Sequence, residues 1–156
     1  MNQDYKDLLS AFQSHGVKYL VVGGFAVIYH SQPRFTKDMD LFIKADPENA
    51  RATYAALQKF GAPVEGMRPE DFTDRDSFFR FGREPKGFDI LPSIPGVDFD
   101  AAWERRVETV IDAPSGLKAN FISAEDLIAS KLASGRARDL ADVEDIRKAA
   151  ESQRAA

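Results

Sequence analysis

A strand, a glycine pair and a second strand follow one another closely, and this succession places the strictest limits on the fold. Residues 17–22 form a short β-branched run, which predicts a buried strand. Gly23 and Gly24 interrupt that run, and the pattern then predicts a helix over 25–30 and a strand over 39–44. Strands that alternate with short helices in this way are typical of a mixed α/β sheet.

The rest of the sequence extends the same pattern in both directions. Helices are predicted at 4–15, 47–60 and 99–106, and paired strands at 77–81 with 88–91 and at 107–112 with 117–122. Ser123 followed by Asp126 is typical of a helix start, and a further helix is predicted over 138–150. We therefore predict an α/β (α+β) core over 1–122, a helical pair over 123–150 packed on the same domain, and a disordered tail over 151–156.

Composition excludes several classes of function. A chain of 156 residues fits one domain, and the lack of cysteine removes thiolate catalysis, zinc–thiolate sites and disulfides. The net charge of −4 argues against general affinity for nucleic acid, so such a partner needs a local basic patch. No run approaches the roughly 18 to 20 apolar residues of a membrane helix, and no signal peptide is recognisable. These features predict a cytoplasmic protein without a membrane partner.

Two aspartates on the second predicted strand are candidate metal ligands. Alternate side chains of a strand share a face, so Asp38 and Asp40 point the same way about 7 Å apart. Paired carboxylates repel each other, and their hard oxygens suit Mg²⁺, with Mn²⁺ as an alternative. Taken alone, the tripeptide is explained at least as well by two solvated aspartates. A glycosyltransferase D-x-D motif is a third explanation, but it usually lies in a larger domain than this one.

The glycine pair strengthens the functional interpretation of the two aspartates. Gly23 and Gly24 follow a strand and precede a helix, so the backbone there can approach a phosphate closely. The N-terminus of the helix adds N–H groups and a partial positive charge. A glycine pair by itself is only a turn, but a phosphate-binding turn followed by a carboxylate strand favours phosphate chemistry.

A third carboxylate is found on a later predicted strand. Asp89 is flanked by apolar residues, and a charge in that setting is costly unless it is paired or bound to a metal. The other interpretation is an aspartate that faces water from its strand. Alternatives for the third carboxylate are Asp76, Asp98 and Asp100, which lie nearer turns and helix starts, where aspartate often serves as a cap.

The helical pair contains a lysine at an unexpected position. Lys131 falls on the apolar face of the first helix, so it needs an anion nearby unless it extends to the surface. Asp139 is a candidate partner, and a functional anion is the other. Arg138 and Asp142 have the spacing of a surface pair on the second helix.

Two further sets of residues have both a functional and a structural explanation. Arg80, Arg83 and Lys86 form a local cluster that could guide a nucleotide or RNA, although such a run more often lies in solvent. Arg34 and Thr36 precede the aspartate pair and either contact a phosphate or organise the turn.

Taken together, these motifs resemble the minimal nucleotidyltransferases of the polymerase-beta superfamily. The resemblance covers 17–146 and is strongest to the abortive-infection type of toxin–antitoxin systems. It is carried by the glycine pair, the pattern Arg34-x-Thr36-x-Asp38-x-Asp40 and a later lone aspartate, Asp89. It implies the nucleotidyltransferase fold, a mixed sheet flanked by helices.

The resemblance also implies roles for particular residues. The triphosphate of an NTP would lie at Gly23 and Gly24, and Arg34 and Thr36 would lie near it. Two Mg²⁺ ions would bind to Asp38, Asp40 and Asp89. Lys131 would reach the phosphates, fixed by Asp139. The implied reaction transfers an NMP to an acceptor hydroxyl and releases pyrophosphate. We expect tRNA or protein as acceptor, because antibiotic-modifying relatives generally carry larger helical domains, and a toxin–antitoxin partner is implied as well.

Two other functions use the same residues. The first is a catalytically silent, NTP-binding or antitoxin-like module, although a scaffold has no need to place repelling carboxylates together. The second is a metal-dependent hydrolase that releases NMP with water as the acceptor.

Overall fold

A computed structural model describes residues 1–33, 35–36, 38–82 and 87–155 of the protein. The described residues form six helices, six strands and a short 3₁₀ helix, Pro69–Thr73. The helices are α1 (Gln3–Ser14), α2 (Gly23–His30), α3 (Pro47–Phe60), α4 (Phe99–Glu104), α5 (Ala124–Ser134) and α6 (Ala137–Ala155). The strands are β1 (Tyr19–Val22), β2 (Met39–Ile43), β3 (Phe79–Phe81), β4 (Phe88–Leu91), β5 (Val107–Asp112) and β6 (Leu117–Phe121).

The six described strands form one mixed sheet in the order β3-β4-β2-β1-β6-β5. The central strand β1 runs antiparallel to β2 and parallel to β6, while β2 runs parallel to β4. The end of β1 and the beginnings of β2 and β4 therefore lie at the same end of the sheet, with β2 between the other two strands. The predicted α/β fold class is confirmed, and the mixed strand directions bring these three strand ends together.

The helices bury their apolar faces in two groups. Helix α1 packs against α3 and β6, and its Tyr5, Leu8, Leu9 and Phe12 are at most 2% exposed. Helix α2 packs against α5 and α6 as well as against β1 and β2. All of β1 is buried, which agrees with its uninterrupted apolar sequence.

Capping explains where some of the predicted elements begin and end. Helix α3 has the predicted bounds because Asp46 caps its first turn, Pro47 fits that turn and Gly61 ends it in the left-handed conformation. Strand β1 begins two residues later than predicted, since the Val17 N–H donates to Phe12 O (3.0 Å) and closes α1. Helix α2 begins earlier than predicted, at Gly23, so the glycine pair forms its first turn.

The last helix is long and largely polar. Helix α6 spans 19 residues and continues to Ala155, through the residues for which composition favours a disordered tail. Its contacts with α2 and α5 fix its first half. Within the described ranges, no helix combines the length and the apolar character that crossing a membrane requires.

Candidate active site

The sheet brings Asp38, Asp40 and Asp89 together at one end. Asp40 lies opposite Val22 on β1 and opposite Asp89 on β4 in the strand register. Side chains in register on neighbouring strands project from the same face, so these two carboxylates are adjacent. Asp38 directly precedes β2 and, like Asp89, has a side chain that is 13% exposed.

Gly23 makes room for one of these carboxylates. Its φ of +65° is a left-handed conformation that glycine adopts without strain. A β-carbon at this position would collide with Asp40 Oδ2. Gly24 follows in the first turn of α2, whose N-cap residue, Val22, provides no side-chain hydrogen bond. The glycine pair therefore accommodates Asp40 and also leaves the N–H groups at the start of α2 without a side-chain cap.

The crowding of carboxylates changes the acidity of Asp40. Burial, a hydrogen bond to Asp89 and the charges of Asp89 and Asp38 together raise the pKa of Asp40 to about 7, and the charge of Arg80 opposes this change. Adjacent carboxylates cannot all ionise without a cation between them. Near neutral pH, the Asp40 carboxyl is therefore protonated for part of the time.

Arg80 provides positive charge at the site. It lies opposite Asp89 in the register of β3 and β4. Its Nη1 is 2.7 Å from Asp38 Oδ2, and its Nη2 is 3.1 Å from Asp89 Oδ2. Arg80 is thus half-exposed, but it lies on a strand and pairs with two carboxylates instead of lying free in a loop. Arg83 and Lys86, the other members of that predicted cluster, lie outside the described residues.

The remaining oxygens of the two bridged carboxylates lack partners in the part of the chain that the structure describes. Asp38 Oδ1 and Asp89 Oδ1 are buried and accept no hydrogen bond from the described residues. A buried carboxylate oxygen without a donor is costly, and hard oxygens of this kind suit a divalent cation. No three His, Cys, Asp or Glu side chains of the described residues have the arrangement of a metal site. The carboxylate oxygens thus suit a metal ion, whereas in this structure the carboxylates are arranged around the bridging guanidinium of Arg80.

Tyr5 supports the site from α1, and no local sequence pattern indicates this role. Its hydroxyl donates to Gly87 O (2.6 Å), which also accepts from the Met39 N–H (3.3 Å). Burial, together with the nearby charge of Asp38, raises the pKa of Tyr5 to about 12. The tyrosine stays neutral and ties α1 to Gly87, the residue before β4, whose carbonyl also holds the start of β2.

Lys131 lies in a second cluster, between α5 and α6. Its Nζ is 3.0 Å from Asp142 Oδ2 and 3.5 Å from Asp139 Oδ1. Arg136 Nε also donates to Asp139 (2.8 Å), and this hydrogen bond lowers the pKa of Asp139 although the carboxyl is buried. The interpretation of Asp142 as a surface residue paired with Arg138 is wrong in its placement, because Asp142 is 4% exposed and faces α5.

The other predicted residues have different positions. Thr36 is partly buried in the segment that leads to β2, and Arg34 lies outside the described residues. Asp98 caps α4 by accepting from the Ala101 N–H (3.0 Å), and Asp100 pairs with Lys44 (2.9 Å). Asp76 is exposed in a turn. Asp98 and Asp100 are thus engaged away from the aspartate cluster.

Known proteins share this architecture. The structure is similar to a crystal structure of the lincosamide antibiotic adenylyltransferase LnuA bound to lincomycin, with a TM-score of 0.57 and 19% identity. The alignment covers 94% of this chain and 96% of that one, and at this identity it shows the fold alone. No curated protein sequence matches the chain. A family model described as "Nucleotidyltransferase of unknown function (DUF6036)" matches residues 2–149. Because this match spans nearly the whole chain, the protein belongs to that family of nucleotidyltransferases.

Proposed function

We propose that this protein transfers an NMP from an NTP to an acceptor hydroxyl and releases pyrophosphate, using a divalent metal. The observation that supports this most directly is the cluster of Asp38, Asp40 and Asp89 beside the start of α2. Two buried carboxylate oxygens there have no hydrogen-bond donor within the described ranges, and the N-cap residue of the helix provides no side-chain cap. The cluster offers metal ligands, and the helix start offers N–H groups to a phosphate.

In this proposal the three aspartates hold Mg²⁺, or Mn²⁺ in its place. Bound there, the metal would neutralise charge on the polyphosphate and lower the pKa of the acceptor hydroxyl. Gly23 and Gly24 would accept the triphosphate along the backbone of α2. Thr36 and Arg34, which precede β2 in the chain, are proposed as further phosphate contacts.

The transfer step needs few protein groups. The acceptor oxygen attacks the α-phosphorus, the bond from that phosphorus to the bridging oxygen breaks, and pyrophosphate leaves with the electron pair. The proton of the acceptor hydroxyl goes to the carboxylate of Asp89, whose Oδ1 accepts no hydrogen bond from the residues that the structure describes. The remaining contribution of the protein is positioning and charge stabilisation.

Lys131, on α5, is proposed as a further contact to the phosphates of the NTP. Its pairs with Asp139 and Asp142 are consistent with a lysine held in place by the next helix. They also satisfy its charge without a ligand, so Lys131 has a structural role in either case.

The acceptor is proposed to be tRNA or protein. Chain length does not separate these from a small molecule, because an adenylyltransferase named for lincosamide antibiotics aligns over 96% of its length. A small hydroxylated antibiotic is therefore a second candidate. A toxin–antitoxin partner is proposed from the resemblance alone, and co-purification from a native host would test it.

The test is a screen for labelled products. Each α-labelled NTP would be incubated with Mg²⁺ and the protein, together with total tRNA, lysate protein or lincomycin. We expect a labelled acceptor and pyrophosphate, both lost with EDTA and in Asp38→Ala and Asp40→Ala. Asp76→Ala, which alters an exposed turn aspartate, is the matched control and should retain activity.

Other outcomes of this screen separate the alternatives. NTP binding without any labelled acceptor would favour the silent binding module. Release of NMP with water as the only acceptor would favour a hydrolase. Calorimetry that detected neither NTP nor metal binding would overturn the proposed function.

A further inference from the structure

Arg80 supplies the cation that the aspartate cluster requires in this structure. One guanidinium bridges two carboxylates through two different nitrogens, at 2.7 Å to Asp38 and 3.1 Å to Asp89. Each carboxylate uses Oδ2 for this bridge and keeps a buried Oδ1 that has no donor among the described residues. In the described part of the chain, one guanidinium thus faces three carboxylates, and the bridge satisfies only part of the cluster.

The position of Arg80 allows it to leave. Strand β3 has only three residues and lies at the edge of the sheet. The side chain of Arg80 is 48% exposed, whereas those of its two partners are 13% exposed. Ion pairs made by a half-exposed arginine are weak compared with those of a buried one, so a divalent ion can compete for these oxygens.

We propose that Arg80 is an exchangeable counter-ion that binds the nucleotide once a metal replaces it. This inference rests on the proposed metal site. A divalent cation takes over the oxygens of Asp38 and Asp89, and the released guanidinium turns towards the polyphosphate of the NTP at the rim of the site. A guanidinium is well suited to the second role, since it is weakly hydrated and can bind phosphate oxygens through two parallel hydrogen bonds.

If a metal replaces Arg80 in this way, removal of the arginine should strengthen Mn²⁺ binding and weaken NTP binding. In Arg80→Gln the competing cation is gone, so Mn²⁺ without nucleotide should bind about tenfold more tightly than in the wild type. The same variant lacks the phosphate contact. At saturating Mn²⁺, the nucleoside triphosphate that the wild type prefers should therefore bind about tenfold more weakly. A merely structural role of Arg80 would weaken both ligands together.

The experiment is calorimetry with Mn²⁺ alone, followed by titration of each of the four NTPs at saturating Mn²⁺. Arg51→Gln, which removes an exposed arginine of α3, controls for the change in net charge and should alter neither affinity. Arg80→Lys keeps the charge but not the two-nitrogen bridge, and it should shift Mn²⁺ binding in the same direction by less. It also replaces Arg80→Gln if thermal unfolding in EDTA shows that the glutamine variant does not fold.

The outcomes keep the inference separate from the proposed function. Unchanged or weaker Mn²⁺ binding in Arg80→Gln, or an equal gain in Arg51→Gln, overturns the exchange. Tighter Mn²⁺ binding with unchanged NTP binding overturns the phosphate role. If the wild type binds no NTP, the proposed function fails, and so does the proposed contact between Arg80 and the polyphosphate. The Mn²⁺ titration then still decides whether a metal replaces Arg80 at the carboxylates.

Discussion

Asp40 can lie beside the end of β1 because position 23 has no side chain. In Gly23→Ala the new β-carbon would collide with Asp40 Oδ2, and the residue would keep a φ near +65°. We expect the free energy of unfolding to fall by about 2 to 3 kcal/mol, from the left-handed backbone and the displaced carboxylate. NMP transfer should be lost as well. Urea denaturation and the labelled-product assay measure the two effects.

Gly16 is a matched control for this change. Its φ is +66°, and a β-carbon there would meet nothing within 4 Å. Gly16→Ala should therefore lose only the backbone contribution, about 1 kcal/mol, and should retain transfer. Equal losses of stability in the two variants would show that the contact with Asp40 is unimportant.

The raised pKa of Asp40 predicts a dependence of stability on pH. The folded protein holds the Asp40 proton up to about pH 7, whereas the unfolded chain releases it near pH 4. The folded state binds the extra proton between these values, so stability falls as pH rises through this window. Asp40→Asn removes this penalty, and it should stabilise the metal-free protein by about 1 to 3 kcal/mol more at pH 8 than at pH 5.

Calorimetric melting in EDTA at the two pH values measures this difference. EDTA is needed because a bound metal would favour the ionised carboxylate and hide the effect. A gain in stability that was the same at pH 5 and pH 8 would contradict a raised pKa for Asp40.

At the residue scale, sequence patterns were most informative where the chemistry is local. The pattern predicted that Asp38 and Asp40 share one strand face; in the structure Asp38 directly precedes β2, and both lie in the same cluster as Asp89. Arg80 could have been found by pairing the two strands of its hairpin, which sets it opposite Asp89. Tyr5 could not, because it meets Gly87 across 82 positions of sequence.

At the scale of elements, the pair of α5 and α6 depends on Lys131. Lys131→Met removes the 3.0 Å ion pair of the buried Asp142, while Asp139 keeps its hydrogen bond to Arg136. We expect a loss of about 2 kcal/mol, less than for a fully enclosed pair because Lys131 is 15% exposed. Chemical denaturation measures this loss.

Two variants separate the structural role of Lys131 from a phosphate contact. Lys131→Met combined with Asp142→Asn should recover part of the lost stability, since the carboxylate no longer needs a cation. If Lys131 also binds phosphate, its loss raises KM for the NTP, whereas Asp142→Asn alone leaves KM nearly unchanged. Equal KM values in the wild type and Lys131→Met would exclude the phosphate contact.

The existence of elements was easier to predict than their ends. Helix α3 matches the prediction because its capping residues, Asp46 and Gly61, are adjacent to it in sequence. Helix α2 begins two residues earlier than predicted, since the fold uses the left-handed Gly23 as the first residue of the helix. Periodicity alone cannot separate a glycine that ends a strand from one that starts a helix.

At the scale of the whole molecule, ligand binding should raise the melting temperature. An NTP with Mg²⁺ at about 100 times its Kd contributes about 2.7 kcal/mol, or about 5 to 10 °C for a chain of this size. We expect the increase to disappear with EDTA and in Asp38→Ala, as scanning fluorimetry would show. An increase that persisted in Asp38→Ala would place the ligand elsewhere.

The order of the strands lay beyond the sequence patterns. Local periodicity predicts each strand, but nothing local states that β1 lies between β2 and β6. That order follows from how six strands and two helix groups bury their apolar faces together. The resemblance supplied the fold, and the family match and the structural neighbour confirm it.

The contact between Gly23 and Asp40 has a consequence for evolution. Any side chain at position 23 would occupy the volume that the Asp40 carboxylate fills. A lineage that lost this glycine would have to shorten or remove the aspartate, so the two positions should change together. Among related genes, a residue other than glycine at position 23 should therefore indicate proteins that have lost catalysis but keep the fold.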